Sequence, residues 1–213
     1  MHTARIHKAG LPLESAERVM IMVHGRGATA GNIVGLAPQL ALEGFALLAP
    51  EATNNTWYPH SFMVPPERNE PWLGSALALL KRMESDLVRE GFAPDTIWFL
   101  GFSQGACLTL EYTARHAKRY GGVIAFTGGL IGDRIRPENY PGDFARTPVF
   151  IGSSDPDMHI PVARVHESGK ILQNMNADVH MQIYPDMGHT ISEEEVLFVN
   201  ERILRSSSGL PDA

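Results

Sequence analysis

Cysteine is nearly absent from this chain: Cys107 is the only one among 213 residues, so no intrachain disulfide can form. Apolar runs are short. None approaches the about 18 residues that a membrane-spanning helix needs, and the first residues, Met1 to Lys8, lack the apolar core of a signal peptide. A cytoplasmic location and no stable membrane association are the resulting expectations. Clusters of positive charge are missing too. With 18 Lys and Arg against 24 Asp and Glu, the net charge is −6, which disfavours nucleic acid and anionic lipid as partners. No histidine pair has metal-ligand spacing, internal repeats are absent, and nothing reads as an interdomain linker.

What is present fits an ordinary globular chain, with 44% hydrophobic and 20% charged residues. The length suits a single domain over residues 1–213, with Ser206 to Ala213 expected as a frayed tail. Arg5 to Lys8 could be an edge strand. Val19 to Val23 is a continuous apolar run, as in a strand buried on both faces. It ends in His24-Gly-Arg-Gly-Ala28, and a helix is expected over Ile33 to Glu43 before Gly44. Phe45 to Ala49 is the next strand. Residues 50–69 form a long irregular segment, whose Trp57, Tyr58, Phe62 and Met63 should pack over something.

A helix over Pro71 to Glu90 carries an apolar stripe of Leu73, Leu77, Leu80 and Leu87, with Asn69 as the expected cap. Further strands are expected at Thr96 to Leu100, Gly122 to Phe126, Pro148 to Ile151 and Val179 to Tyr184. A helix over Pro161 to Asn176 presents Val162, Val165, Leu172 and Met175. Residues 130–146, rich in Gly, Pro and Arg, read as surface loop. Ser192 to Glu195 matches a capping box opening a final helix to about Arg205. Short buried strands alternating with helices predict an α/β fold: a mostly parallel sheet of about seven strands, helices on both faces, and no separate cap domain.

Gly101-Phe-Ser-Gln-Gly105 sits between the fourth strand and a helix-compatible run. In that setting G-x-S-x-G is a nucleophile elbow, a turn so tight that its serine is strained and lifted clear of the sheet. A serine hydroxyl needs a base, and the base needs an acid to fix its tautomer. In this architecture the chain order is Ser, acid, His. The matching residues are Ser103, then Asp155 or Asp157, then His189, which follows Gly188 after the last strand. Counting back from Ile160-Pro161 favours Asp157; counting from Gly152 favours Asp155.

Among other histidines, His159 lies beside the acid loop, His24 should shape its own loop, and His60, His116, His166 and His180 read as surface or supporting residues. The oxyanion should be held by the N–H of Gln104 and that of Arg26 in the loop after the first buried strand. Cys107 reads as a small packing residue. Trp57, Tyr58, Phe62, Met63 and Trp72 either line a substrate pocket or seal the sheet edge.

Assembled, these residues resemble the phospholipase/carboxylesterase branch of the α/β hydrolases, which includes the acyl-protein thioesterases. The resemblance covers about residues 17 to 204. It rests on Val23-His-Gly-Arg-Gly27, Gly101-Phe-Ser-Gln-Gly105, Asp155-Pro-Asp-Met-His-Ile-Pro161 and Tyr184-Pro-Asp-Met-Gly-His189. The family's acid segment, H-G-D-x-D-P-x-V-P, laid without gaps on Ser153 to Pro161, implies Asp157 as the catalytic acid and Asp155 as its companion. Ser153-Ser154 and Met158 depart from that segment. The resemblance implies cofactor-free hydrolysis of a small-molecule carboxylic ester, here expected to be small to medium in size. An acyl thioesterase, lysophospholipase or dienelactone-type hydrolase is the alternative, and a non-catalytic binding protein on the same fold is the rival of another class. Homodimerisation is left open.

Overall fold

The computed structural model describes residues 1–3 and 5–205, so the expected tail at residues 206–213 lies outside the described residues. Seven strands build one sheet: β1 (Ile6–Gly10), β2 (Arg18–Val23), β3 (Phe45–Pro50), β4 (Ile97–Phe102), β5 (Gly122–Phe126), β6 (Pro148–Asp155) and β7 (Asp178–Pro185). Their order is β1-β3-β2-β4-β5-β6-β7. Only β1 runs antiparallel, pairing Ile6 with Pro50 and Gly10 with Ala46. The remaining ladders are parallel. Lys8 on β1 suits an edge strand, where a charge discourages further pairing.

Apolar runs without alternation mark the central strands because both faces are covered. β2 shows how. Val19, Ile21 and Val23 point into a core shared with α2 (Trp72–Arg89), α3 (Gln104–Arg115) and α4 (Val162–Asn174). Met20 and Met22 point the other way, into a core shared with α1 (Ala30–Val34) and α5 (Glu193–Phe198). Successive side chains leave opposite faces of a strand, so one run serves two layers. Among the described residues there is no separate cap domain, and no helix is long and apolar enough to cross a membrane.

Several local expectations are corrected. The helix expected over Ile33 to Glu43 is α1, ending at Val34, followed by a 3-10 turn at Ala37–Gln39. Gly35 and Pro38 explain the break, since one adds backbone freedom and the other removes a donor. Asn69 does not cap α2. Its side chain accepts from His60 N–H at 2.9 Å and donates to the Ser61 carbonyl at 3.0 Å, while Glu70 Oε2 accepts from Gly74 N–H at 3.0 Å.

Residues 130–146 are not a plain surface loop, because Leu130, Ile131, Tyr140 and Phe144 are buried. Buried charge holds them: Arg164 donates to the carbonyls of Leu130 and Gly132, and Glu111 accepts from Ile131 N–H and the Tyr140 hydroxyl. On α4, Val165, Ser168 and Leu172 face inward, with Val162 only half-buried. The capping box at Ser192 is present, and α5 runs on as a π-turn, Val199–Leu204.

The order of strands reverses between β2 and β4: β3 lies to one side of β2, and β4 to the other. Loops leaving the carboxyl ends of two such strands diverge and open a crevice, the usual ligand position in open parallel sheets. Here those loops begin at His24 and Ser103.

Candidate active site

Ser103 stands between β4 and α3 with φ +54° and ψ −118°, a backbone region that costs a non-glycine residue strain. The flanking glycines make the turn possible. A Cβ on Gly105 would overlap the main-chain carbonyls of Val23 and His24, and one on Gly101 would overlap the main chain of Gly105. The sharp turn aims the Ser103 hydroxyl away from the sheet, where His189 Nε2 meets it at 2.8 Å. His189 Nδ1 lies 2.8 Å from Asp157 Oδ2. Gly188, at φ +79°, lets the loop after β7 bend back over the elbow.

Asp157, rather than Asp155, reaches the imidazole. The other Asp157 oxygen, Oδ1, accepts from the N–H of His159 at 2.7 Å and of Ile160 at 2.9 Å. Burial alone would raise this carboxyl, but the two N–H bonds and His189 outweigh it and hold it below its ordinary range. Asp157 is thus an ionised acceptor with both oxygens committed. Asp155 is exposed, and its main-chain carbonyl accepts from Asp186 N–H at 3.1 Å.

One supporting residue escaped the sequence reading. Ser154 Oγ accepts from Gly188 N–H at 2.9 Å and donates to the Pro156 carbonyl at 3.1 Å, tying the histidine loop to the acid loop. It stands where the family pattern has glycine, a departure from which a compensating hydroxyl could have been suspected.

Among the described residues, neither the Arg26 N–H nor the Gln104 N–H donates to a carbonyl or side chain. Both residues border a cavity of about 500 Å3 beside Ser103. His24 shapes the first loop, as expected. Its Nε2 accepts from Ala52 N–H at 3.1 Å and its Nδ1 donates to the Gly25 carbonyl at 2.8 Å. Burial lowers its pKa, so it stays a neutral spacer.

Residues 50–69 do pack over the elbow. Gln104 Oε1 accepts from Trp57 N–H at 2.9 Å, and its Nε2 donates to the Tyr58 carbonyl at 2.8 Å. Arg26 donates to the carbonyls of Tyr58, Pro59 and His60 at 2.8–3.0 Å. Of the five expected wall residues, Tyr58 and Phe62 line the cavity. The others do not. Trp57 is buried with its indole N–H on the His24 carbonyl, Trp72 meets the ring of His2, and Met63 packs against the core. His60 and His159 do border it, as do Phe102 and Ile160. His2, unremarked in the sequence, bridges Thr53 N–H and the Trp57 carbonyl, fastening the first residues to this segment. Cys107 is buried at the cavity wall, and burial pushes its thiol up to about 12, so it is no thiolate nucleophile. Among the described residues no group of His, Cys, Asp and Glu could hold a metal ion.

The profile of the phospholipase/carboxylesterase family matches residues 10–206. A crystal structure of a phospholipase/carboxylesterase from Dyadobacter fermentans is 51% identical, with a TM-score of 0.94 over 95% of this chain and 97% of that one. The Bacillus cereus carboxylesterase, 18% identical with a TM-score of 0.77 over 95% of each chain, shares the fold. A probable carboxylesterase of Oryza sativa is 26% identical over 147 residues, 68% of this chain and 63% of that protein. Acyl-protein thioesterase 1 of Kluyveromyces lactis is 30% identical over 128 residues, 57% of this chain and 55% of that one. The matched stretches thus span less than two thirds of these curated relatives. An α/β-hydrolase sheet, an elbow serine bonded to a histidine and then an aspartate, and a profile that spans nearly all of the sequence together place this chain in the phospholipase/carboxylesterase family.

Proposed function

We propose that this protein is a serine carboxylesterase acting on small to medium esters through an acyl-enzyme. The observation that carries the reading is the unbroken relay from Ser103 Oγ to His189 Nε2, and from His189 Nδ1 to Asp157 Oδ2, each step 2.8 Å. In this reading Ser103 Oγ bonds to the ester carbonyl carbon while its proton passes to Nε2 of His189. Asp157 keeps the proton of the neutral imidazole on Nδ1 and stabilises the imidazolium. The carbonyl oxygen gains charge and takes hydrogen bonds from the N–H groups of Gln104 and Arg26. His189 then gives its proton to the departing alcohol. Water, deprotonated by His189, attacks the acyl-enzyme and frees the acid and Ser103.

The cavity, about 500 Å3 and walled partly by Phe62, Phe102 and Ile160, suits an acyl or alcohol group of modest size. A thioester could follow the same route, since the attacked carbonyl is the same, and relatives with thioesterase names keep that reading in view. A single buried cysteine fits a cytoplasmic setting.

The test is hydrolysis of p-nitrophenyl butyrate and labelling by a fluorophosphonate. Wild type should turn over and label, while Ser103→Ala should lose at least about 10³-fold in kcat and all labelling. Equal rates for the two proteins would refute the assignment.

A further inference from the structure

No group on the cavity wall carries a negative charge. The ionisable side chains there are Arg26, His60, His159 and His189, together with the Tyr58 phenol and the Cys107 thiol, and burial keeps the last two protonated. This is a local bias, because the whole chain carries −6. The nearest catalytic carboxylate, Asp157, is spent on His189 and two N–H groups.

Arg26 supplies the fixed charge. Among the described residues it pairs with no carboxylate. Its three hydrogen bonds go to neutral carbonyls, those of Tyr58, Pro59 and His60, which leave its charge uncompensated. A guanidinium has five N–H donors, so donors remain for a ligand. The two extra imidazoles ride on fixed backbone. His159 N–H is held by Asp157, and its ring stands edge-on to that of His189 with centroids 4.8 Å apart. His60 N–H is held by Asn69, and its carbonyl by Arg26.

We propose that the ester taken by this site carries a carboxylate on its acyl or alcohol part, received by Arg26, His60 and His159 at the wall of the cavity. One fixed positive charge matches one monoanion, and the Nε–H and the second Nη1–H of Arg26, which the three carbonyls leave over, can each donate to an anionic oxygen. The proposal rests on the esterase reading but is tested separately from it.

The experiment compares kcat/KM for the p-nitrophenyl monoester of glutaric acid, with its free carboxylate, and for the same ester capped with a methyl group. Wild type should prefer the charged ester about tenfold in low salt, and 0.5 M sodium chloride should cut the preference several-fold, because screening weakens exposed charge pairs. A ratio of one or less, or one that salt leaves unmoved, overturns the proposal. Arg26→Lys keeps the charge and Arg26→Gln removes it, while both disturb the clamp on residues 58–60. The Lys variant should retain most of the preference and the Gln variant should lose it; equal loss in both overturns the role of the charge.

A double variant, His60→Ala with His159→Phe, should lower the charged-to-neutral ratio at least about threefold, and an unmoved ratio removes the imidazoles from the proposal. Glutarate should inhibit competitively, and inhibition by inorganic phosphate alone overturns the choice of carboxylate. Loss of turnover of both esters in wild type would instead sink the esterase reading.

Discussion

Gln104 donates through its side-chain amide to the carbonyl of Tyr58 at 2.8 Å, so the residue directly after Ser103 also fixes the segment that walls the cavity. The same amide accepts from the buried N–H of Trp57. One residue thereby offers its main chain to the proposed oxyanion and its side chain to the wall.

Gln104→Ala keeps the main-chain N–H but leaves the Trp57 N–H buried without an acceptor. That should cost about 2–3 kcal/mol, seen as a fall of roughly 4–10 °C in the melting midpoint. KM for p-nitrophenyl butyrate should rise, because the Tyr58 wall loosens, while fluorophosphonate labelling of Ser103 persists. An unchanged melting midpoint would contradict a clamping role for the Gln104 side chain.

The two acidic candidates should separate sharply. Asp157→Asn keeps acceptors for His159 and Ile160 but turns an amide toward His189, favouring the wrong tautomer; kcat should fall by about 10³–10⁴-fold. Asp155→Asn should change kcat less than about threefold, since its side chain is exposed. A larger effect at Asp155 than at Asp157 would reverse the assignment.

Gly105→Ala should prevent correct packing. Its Cβ would occupy the space of the Val23 and His24 carbonyls, main-chain atoms that cannot rotate away. A loss of at least about 3 kcal/mol is expected, measured by denaturant unfolding or as a collapse of soluble yield.

Glu195 places a pH dependence on stability. It is fully buried, with Oε2 accepting from Ser192 N–H at 2.9 Å and Oε1 without a hydrogen-bond partner. Burial pushes its carboxyl from 4.5 up to about 7 despite the Ser192 bonds. The folded state therefore holds a proton that the unfolded chain has released between about pH 4.5 and 7, so this contribution to stability is full below that window and lost as pH rises through it. The loss is on the order of 3 kcal/mol. Glu195→Gln, neutral throughout, should lose less stability than wild type between pH 5 and pH 8, read as the difference between the two proteins in denaturant midpoint. Parallel pH curves would contradict this.

Strand periodicity, the small residues of the elbow and the order serine, acid, histidine were legible in the sequence because each is a local signal. A strand buried on two faces must be apolar throughout, a tight turn must exclude Cβ atoms, and loops after parallel strands must gather at one edge. Spacing alone left Asp155 and Asp157 open and the family resemblance implied Asp157; the tertiary structure brings the Asp157 carboxylate to an imidazole 32 positions away. Only it buried Leu130, Ile131, Tyr140 and Phe144, in a segment whose polar composition suggested solvent, because the Arg164 and Glu111 that hold that segment come from distant helices. It also sent Trp57 and Trp72 into packing and brought His60 and His159 to the cavity instead. An aromatic side chain and an imidazole look alike as candidates in a list of residues; which of them faces a crevice depends on how a long irregular segment is pinned by distant hydrogen bonds.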